Sequence, residues 1–294
     1  MHFVRKKPSM PAFRKCRCEI TSPSAPRGAL EFGHGDGAIV IRMMSAASAS
    51  RAEQARRLIC LTDLTSLNDS DDAASVRALS VLACTAPVKP AAVCIWPRWI
   101  PVALAALQDT GIPVCAVANF PGGAAAPDIA AAETAAAVAA GATEVDVVFP
   151  YRAMLAGDSR VGLAVVRGCR EACGEHALLK VILETGQLES PDNMRRAAEI
   201  AIEGGAHFLK TSTGKTQPAA TPEAADILLE VIAAAARRGR SIGFKAAGGI
   251  RTIDDAWVYL TLFERRFGEG SASARSFRIG ASGLFRELMT AAGA

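Results

Sequence analysis

The sequence has no apolar run of about 18 residues, so it contains no helix-length membrane span. Its four histidines, at positions 2, 34, 176 and 207, form no cluster. Cys16-x-Cys18 is too closely spaced for the usual zinc pairs and has no matching second pair, so a zinc site is not expected. The N-terminus lacks the apolar core of a secretory signal. No glycine-rich dinucleotide fingerprint follows the first apolar run, which continues as Leu64-Thr65-Ser66-Leu67-Asn68. The body of the chain also lacks excess charge of one sign. The first 42 residues hold eight Lys/Arg against three acids, and the remainder holds 25 basic against 26 acidic residues. The overall charge of +4 therefore belongs to the tail, and the body offers no basic face to nucleic acid.

What is present is apolar and alanine-rich. Half of the 294 residues are apolar, enough for a sizeable core, and alanine favours helix. Residues 1–50 read as a basic, disordered extension, or as sequence upstream of a start at Met43 or Met44; residues 51–294 read as one domain. A basic, acid-poor start is also compatible with a transit peptide. Several of the eight cysteines sit in apolar runs, as in Ala92-Val93-Cys94-Ile95, which points to buried, reduced thiols of a cytoplasmic protein. Cys169 and Cys173 lie four apart on an expected helix, a spacing that packing alone explains.

From about residue 55, short apolar runs alternate with amphipathic stretches. Strands are expected at 58–63, 91–96, 112–118, 144–149, 178–184, 206–211, 241–246 and 276–280. Helices are expected near 71–84, 98–110, 127–140, 160–174, 191–204, 222–238, 252–266 and 282–291. Pro97, Pro191 and Pro222 mark helix starts, with Ser190 and Thr221 as N-caps before the last two. Asp69 and Ser70 precede the first of these helices, and Gly141, Gly174 and Gly205 close others. Eight βα units with apolar strands imply a parallel sheet buried on both faces. The expected fold is therefore α/β, a single (β/α)8 TIM barrel, with an open doubly wound sheet as the alternative.

Charged residues stand inside these apolar strands: Asp63, Asp146, Lys180, Glu184, Lys210 and Lys245. Burying an unpaired charge is costly, so each needs a partner or a function. Lys210 and Lys245 end adjacent strands, where parallel neighbours lie about 4.8 Å apart. Two ammonium groups ~6 Å apart at an effective dielectric of ~20 repel by roughly 2.8 kcal/mol. That is about two pKa units, enough to drive one lysine toward a neutral amine that attacks carbonyls. The alternative is that each pairs with a buried acid. Lys180 lies early in its strand and reads as a structural partner of Glu184 or Asp146. Asp146 reads as a proton-transfer group, as a partner for a buried lysine, or as both. Cys94 either lines the barrel mouth or is inert, and His207, at a strand start, is structural.

Three glycine-bearing loops follow the last three strands: Thr213-Gly214-Lys215, Gly248-Gly249-Ile250-Arg251 and Gly280-Ala281-Ser282-Gly283. Such loops at the end of a barrel bring backbone N–H groups and a helix N-terminus to an anion. Lys215 and Arg251 add charge and Ser282 a hydroxyl, so a phosphate site is expected there.

The segments Leu61-Thr62-Asp63-Leu64-Thr65-Ser66-Leu67-Asn68, Val93-Cys94-Ile95-Trp96-Pro97-Arg98 and Glu144-Val145-Asp146-Val147-Val148-Phe149-Pro150-Tyr151-Arg152 resemble the deoxyribose-phosphate aldolases. So do Phe208-Leu209-Lys210-Thr211-Ser212-Thr213-Gly214-Lys215 and Gly243-Phe244-Lys245-Ala246-Ala247-Gly248-Gly249-Ile250-Arg251. The resemblance covers roughly residues 56–290. It implies reversible cleavage of 2-deoxy-D-ribose 5-phosphate to D-glyceraldehyde 3-phosphate and acetaldehyde, without metal or other cofactor. It further implies Lys210 as the Schiff-base lysine, Lys245 as the lysine that activates it, and Asp146 as a proton relay. By the same resemblance Asp63, Thr65 and Cys94 line the pocket, and Gly214, Lys215, Gly248, Gly249, Arg251 and Ser282 surround the phosphate. Thr211 and Gly280, at the ends of their strands, are expected to bind substrate as well. The implied setting is deoxynucleoside catabolism in the cytoplasm, as a homodimer. The chain departs from the family in having Ala246 where proline is common after the second lysine, and Gly283 where a second serine is common. It also ends Ala-Ala-Gly-Ala rather than in the tyrosine of some members. Weaker phosphate binding and slower enamine protonation are the expected consequences.

Overall fold

Eight short strands close on themselves in chain order in the computed structural model, which describes residues 49–293. The strands are β1 (Thr62–Thr65), β2 (Ala92–Ile95), β3 (Val114–Ala118), β4 (Glu144–Val148), β5 (Leu178–Ile182), β6 (Phe208–Lys210), β7 (Gly243–Ala247) and β8 (Phe277–Ala281). All neighbours pair in parallel, and β8 pairs with β1, so the (β/α)8 barrel is complete. The open-sheet alternative is excluded. The residues expected to form an N-terminal extension lie, but for 49 and 50, outside the described residues, as do Cys16 and Cys18.

Among the described residues ten helices wrap the strands: α1 (Arg51–Cys60), α2 (Ala73–Thr85), α3 (Ile100–Ala106), α4 (Pro127–Ala139), α5 (Tyr151–Leu155), α6 (Ser159–Cys173), α7 (Pro191–Glu203), α8 (Pro222–Ala236), α9 (Ile253–Phe267) and α10 (Leu284–Ala291). Their ends follow local chemistry. Ser190 and Thr221 accept hydrogen bonds from the first turns of α7 and α8 as expected, each followed by proline. Gly141, Gly174 and Gly205 adopt positive φ at or just beyond helix C-termini.

Three expectations are corrected. The run at 58–63 is not one strand. Leu58 and Ile59 belong to α1, whose buried face Ala55, Leu58 and Ile59 has helical spacing, and whose start is locked by a Ser50–Glu53 capping box. The cap of α2 is Asp72, reciprocally bonded with Ser75, rather than Asp69 or Ser70. The stretch 98–110 begins as a 3-10 turn over Pro97–Trp99 and is helical to Ala106. Helices α1 and α5 were not expected. No helix among the described residues is long and apolar enough to cross a membrane.

Cys169 and Cys173 pack in the core from α6, as their spacing suggests. Burial pushes both thiols up to about 11. An unfolded thiol ionises near ~8.5, so the unfolded chain loses these protons first and stability falls as pH rises from about 8.5 to 11. The urea midpoint is therefore expected to drop between pH 8 and 10, and less so in Cys169→Ala; a flat profile would contradict the burial of both thiols.

Candidate active site

The strand register dictates which side chains enter the barrel. Asp146 of β4 faces Lys180 of β5, Ile182 faces Lys210 of β6, Lys210 faces Lys245 of β7, and Lys245 faces Arg278 of β8. These polar side chains are almost wholly buried, with Lys210 at 3% exposure and Asp146, Lys180 and Lys245 at zero. Such burial requires paired charges, and the pairing is dense. Asp146 Oδ2 accepts from Lys210 Nζ at 2.9 Å and from Lys245 Nζ at 2.7 Å. Its Oδ1 accepts from Lys180 Nζ at 2.9 Å. Lys245 also reaches Asp63 Oδ2 at 2.6 Å. Lys180 reaches Glu144 Oε2 at 2.6 Å and lies 3.5 Å from Asp63 Oδ2. Arg278 closes the floor of the cluster by bonding Asp63 and, at 2.8 Å, Glu144.

The two lysines do converge, but on one carboxylate oxygen rather than on each other. Both readings of the sequence therefore meet here: the lysines are neighbours, and each pairs with a buried acid. Like-charge repulsion does not neutralise Lys245. Burial alone would push its ammonium down, but Asp146 and then Asp63 outweigh burial and hold it charged. Burial would likewise push the Asp146 carboxyl up, and Lys180, Lys210 and Lys245 hold it well below the usual carboxylate range. Asp63 is depressed in the same way, against burial, by Arg278 and Lys245. Lys180 takes Asp146 and Glu144 as partners; Glu184, the other partner considered, instead accepts from Thr213 Oγ1 at 2.5 Å and from its N–H at 3.2 Å. Counted together, four cations (Lys180, Lys210, Lys245, Arg278) face three carboxylates (Asp63, Glu144, Asp146). Lys210 has one carboxylate partner, Lys245 two and Lys180 three.

An apolar cluster adjoins these charges. Leu67, Ala92, Cys94, Cys115 and Val117 form a separate cluster beneath Trp96 and Phe120, whose rings meet edge to face at 5.5 Å. This cluster meets the charged one at Cys115, whose Sγ lies 3.2 Å from Lys180 Nζ. Thr65 lies beside Cys94 in the register, and its hydroxyl donates to the Asp63 carbonyl at 2.8 Å.

The loops after β6, β7 and β8 gather at one end, as expected. Gly214, Gly248 and Gly249 all have positive φ. A Cβ on Gly248 would lie 3.1 Å from Gly214 Cα, so the two loops approach as only glycines allow. Arg251, Ser282 and Gly283 are exposed at this end, and α10 begins without a side-chain cap. Lys215 Nζ reaches across the mouth to the Leu67 carbonyl at 2.7 Å. The Thr211 hydroxyl is engaged in clamping the Ala247 backbone at 3.0 and 3.1 Å. Two hydroxyls that the sequence reading passed over, Ser212 Oγ and Thr185 Oγ1, are buried without a hydrogen-bond partner near the same strand ends. Their position one residue after Thr211 and Glu184 is the signal that would have singled them out. His207 is structural in position, accepting from the Leu179 N–H at 2.9 Å.

Gly280 is required by Lys245. A Cβ there would fall 2.9 Å from Ala247 Cβ and 3.1 Å from Lys245 Cε. Gly280→Ala is expected to cost about 1–3 kcal/mol of stability by overpacking and to impair any activity that uses Lys245. Denaturant unfolding and an activity assay check this, and wild-type values for both would mean that the lysine stem has spare room.

The model of the DeoC/LacD family aldolases matches residues 57–275. The chain belongs to this family. The DeoC/LacD assignment agrees with solved structures. A candidate deoxyribose-phosphate aldolase from Toxoplasma gondii ME49 superposes with a TM-score of 0.77 at 27% identity, covering 83% of this chain and 95% of that one. A candidate deoxyribose-phosphate aldolase from Coccidioides immitis gives 0.69 at 28% identity, covering 82% and 87%. The tetrameric deoxyribose phosphate aldolase from Aeropyrum pernix gives 0.65 at 24% identity, covering 84% and 97%, and shares the fold. The charged interior and the glycine loops are thus the interior and rim of a DeoC/LacD family aldolase.

Proposed function

We propose that this DeoC/LacD aldolase cleaves 2-deoxy-D-ribose 5-phosphate reversibly to D-glyceraldehyde 3-phosphate and acetaldehyde, through a Schiff base on Lys210. The observation that carries this reading is the sharing of Asp146 Oδ2 by Lys210 and Lys245. Of the three buried lysines, Lys210 has the fewest counter-charges and is the one with measurable exposure. Lys245 stays charged, and the cluster carries one cation in excess, so release of a proton from Lys210 leaves the interior balanced. The amine attacks the substrate aldehyde carbon and loses water to give the iminium. Asp146, held ionised, exchanges protons with the reacting atoms. Deprotonation of the C3 hydroxyl breaks the C2–C3 bond, with the electron pair drawn into the iminium. Glyceraldehyde phosphate leaves, the remaining two-carbon enamine is protonated, and water releases acetaldehyde and the free lysine.

The apolar side chains around Cys94 suit the two-carbon fragment, with Thr65 and Asp63 on the neighbouring strand. Lys215, Arg251, Ser282 and the N–H groups of Gly214, Gly248 and Gly249 suit the phosphate. Lys215 would exchange the Leu67 carbonyl for the phosphate. This reading assigns the protein to deoxynucleoside breakdown in the cytoplasm, acting as a homodimer. The test is incubation of the purified chain with 2-deoxy-D-ribose 5-phosphate, with separate detection of both products. Stoichiometric appearance of the two aldehydes is expected. Absence of cleavage, with turnover of a different aldol, would confine the assignment to the family.

A further inference from the structure

We propose that Cys94, Cys115 and Asp146 form a binding site for a thiophilic divalent cation of the zinc or cadmium kind, and that filling it silences the lysine centre. Cys94 and Cys115 face each other in the register of β2 and β3, and Asp146 comes from β4. The two sulfurs and a carboxylate oxygen lie within 4.8 Å of one another, all buried, and among the described residues no other such convergence of three His, Cys, Asp or Glu occurs. Cys115 Sγ is 3.1 Å from Asp146 Oδ1. A tetrahedral ion with bonds of about 2.3 Å to sulfur and about 2.1 Å to oxygen holds its ligand atoms roughly 3.5 Å apart, so small side-chain adjustments suffice. Water can complete the fourth position.

The two oxygens of Asp146 are already divided. Lys210 and Lys245 hold Oδ2, while Oδ1 carries Cys115 and Lys180. A metal ion on Oδ1 would displace Lys180 from that oxygen and from Cys115 Sγ, 3.2 Å away, yet Lys180 keeps Glu144 at 2.6 Å. Charge selects the class of ion. Entry of a divalent ion releases the two thiol protons, so the charge of the interior does not change. A hard cation such as magnesium, which does not deprotonate thiols, would instead add two charges beside Lys180, Lys210, Lys245 and Arg278. Once bound, the ion draws electron density from Asp146 and weakens it as a proton acceptor. This loss of activity rests on the role proposed above for Asp146; the binding itself does not.

The test is titration of the full chain with cadmium, followed by sulfur-to-cadmium charge-transfer absorption and by aldolase activity. Tight sulfur-bound cadmium with loss of activity is expected, both reversed by a chelator. Cys115→Ala should weaken both effects at least about tenfold, each measured against that variant's own activity, while Cys169→Ala leaves both unchanged. Equal inhibition and absorption in Cys115→Ala would overturn the site, and tight binding with undiminished activity would overturn the silencing. If Cys115→Ala does not fold, the X-ray absorption spectrum of the tightly bound equivalent in the unaltered chain decides. Two sulfurs with oxygen around cadmium support the site, and a shell without sulfur contradicts it. Tight binding to a chain that proves to have no aldolase activity would support the site and defeat only the catalytic reading.

Discussion

Replacing Lys210 with alanine is expected to cut aldol cleavage by about 10^4-fold or more, the scale on which loss of a covalent nucleophile acts. The fold should survive. Asp146 would still be paired with Lys180 and Lys245, so no buried carboxylate is left unpaired, and Lys210 is the member of the cluster with the fewest partners. The unfolding midpoint should therefore stay within a few degrees of wild type. A variant that retains normal activity would remove Lys210 from the chemistry, and one that fails to fold would mean that its pairing with Asp146 is structural.

Asp146→Ala is expected to do the opposite, damaging stability as much as activity. One carboxylate holds three ammonium groups, and its loss leaves Lys210 without an acid while Lys180 and Lys245 must share Asp63 and Glu144. Breaking a buried pair by removing one partner costs about 3–5 kcal/mol. For a domain of this size, that lowers the melting temperature by on the order of 10 °C. Asp146→Asn, which keeps an acceptor oxygen, should lose less stability while still losing activity. Calorimetry of the two variants checks this, and a melting temperature for Asp146→Ala equal to wild type would contradict the central position given to the carboxylate.

The barrel was legible because short apolar runs, most of them bounded by glycine, proline or a capping residue, alternate with amphipathic stretches along the chain. The first unit was misread because Leu58-Ile59-Cys60-Leu61 carries the same apolar signal in a helix as in a strand; the Ser50–Glu53 capping box and the helical spacing of Ala55, Leu58 and Ile59 separate the two. Within the site, Lys210, Lys245 and Asp146 stood out as charges in buried strands. Their arrangement around a single oxygen was not legible. Sequence order places strand ends side by side but does not say which of Asp63, Glu144 and Asp146 reaches which ammonium across the barrel. For that reason the repulsion between Lys210 and Lys245 was legible but the acids that intervene were not, and two carboxylates hold Lys245 charged. Of the two partners open to Lys180, Asp146 is the one it takes, and Glu184 is drawn elsewhere for a related cause. Its backbone turns into the left-handed region just past β5 and carries the carboxylate to Thr213.

The covalent step is tested most directly by borohydride reduction of the protein in the presence of acetaldehyde, followed by peptide mass mapping. A reduced two-carbon adduct on Lys210 is expected, with Lys180 and Lys245 unmodified. A folded protein that yields no adduct, or carries it on another lysine, would contradict Lys210 as the Schiff-base residue; the first outcome would leave a barrel that handles sugar phosphates without a covalent intermediate.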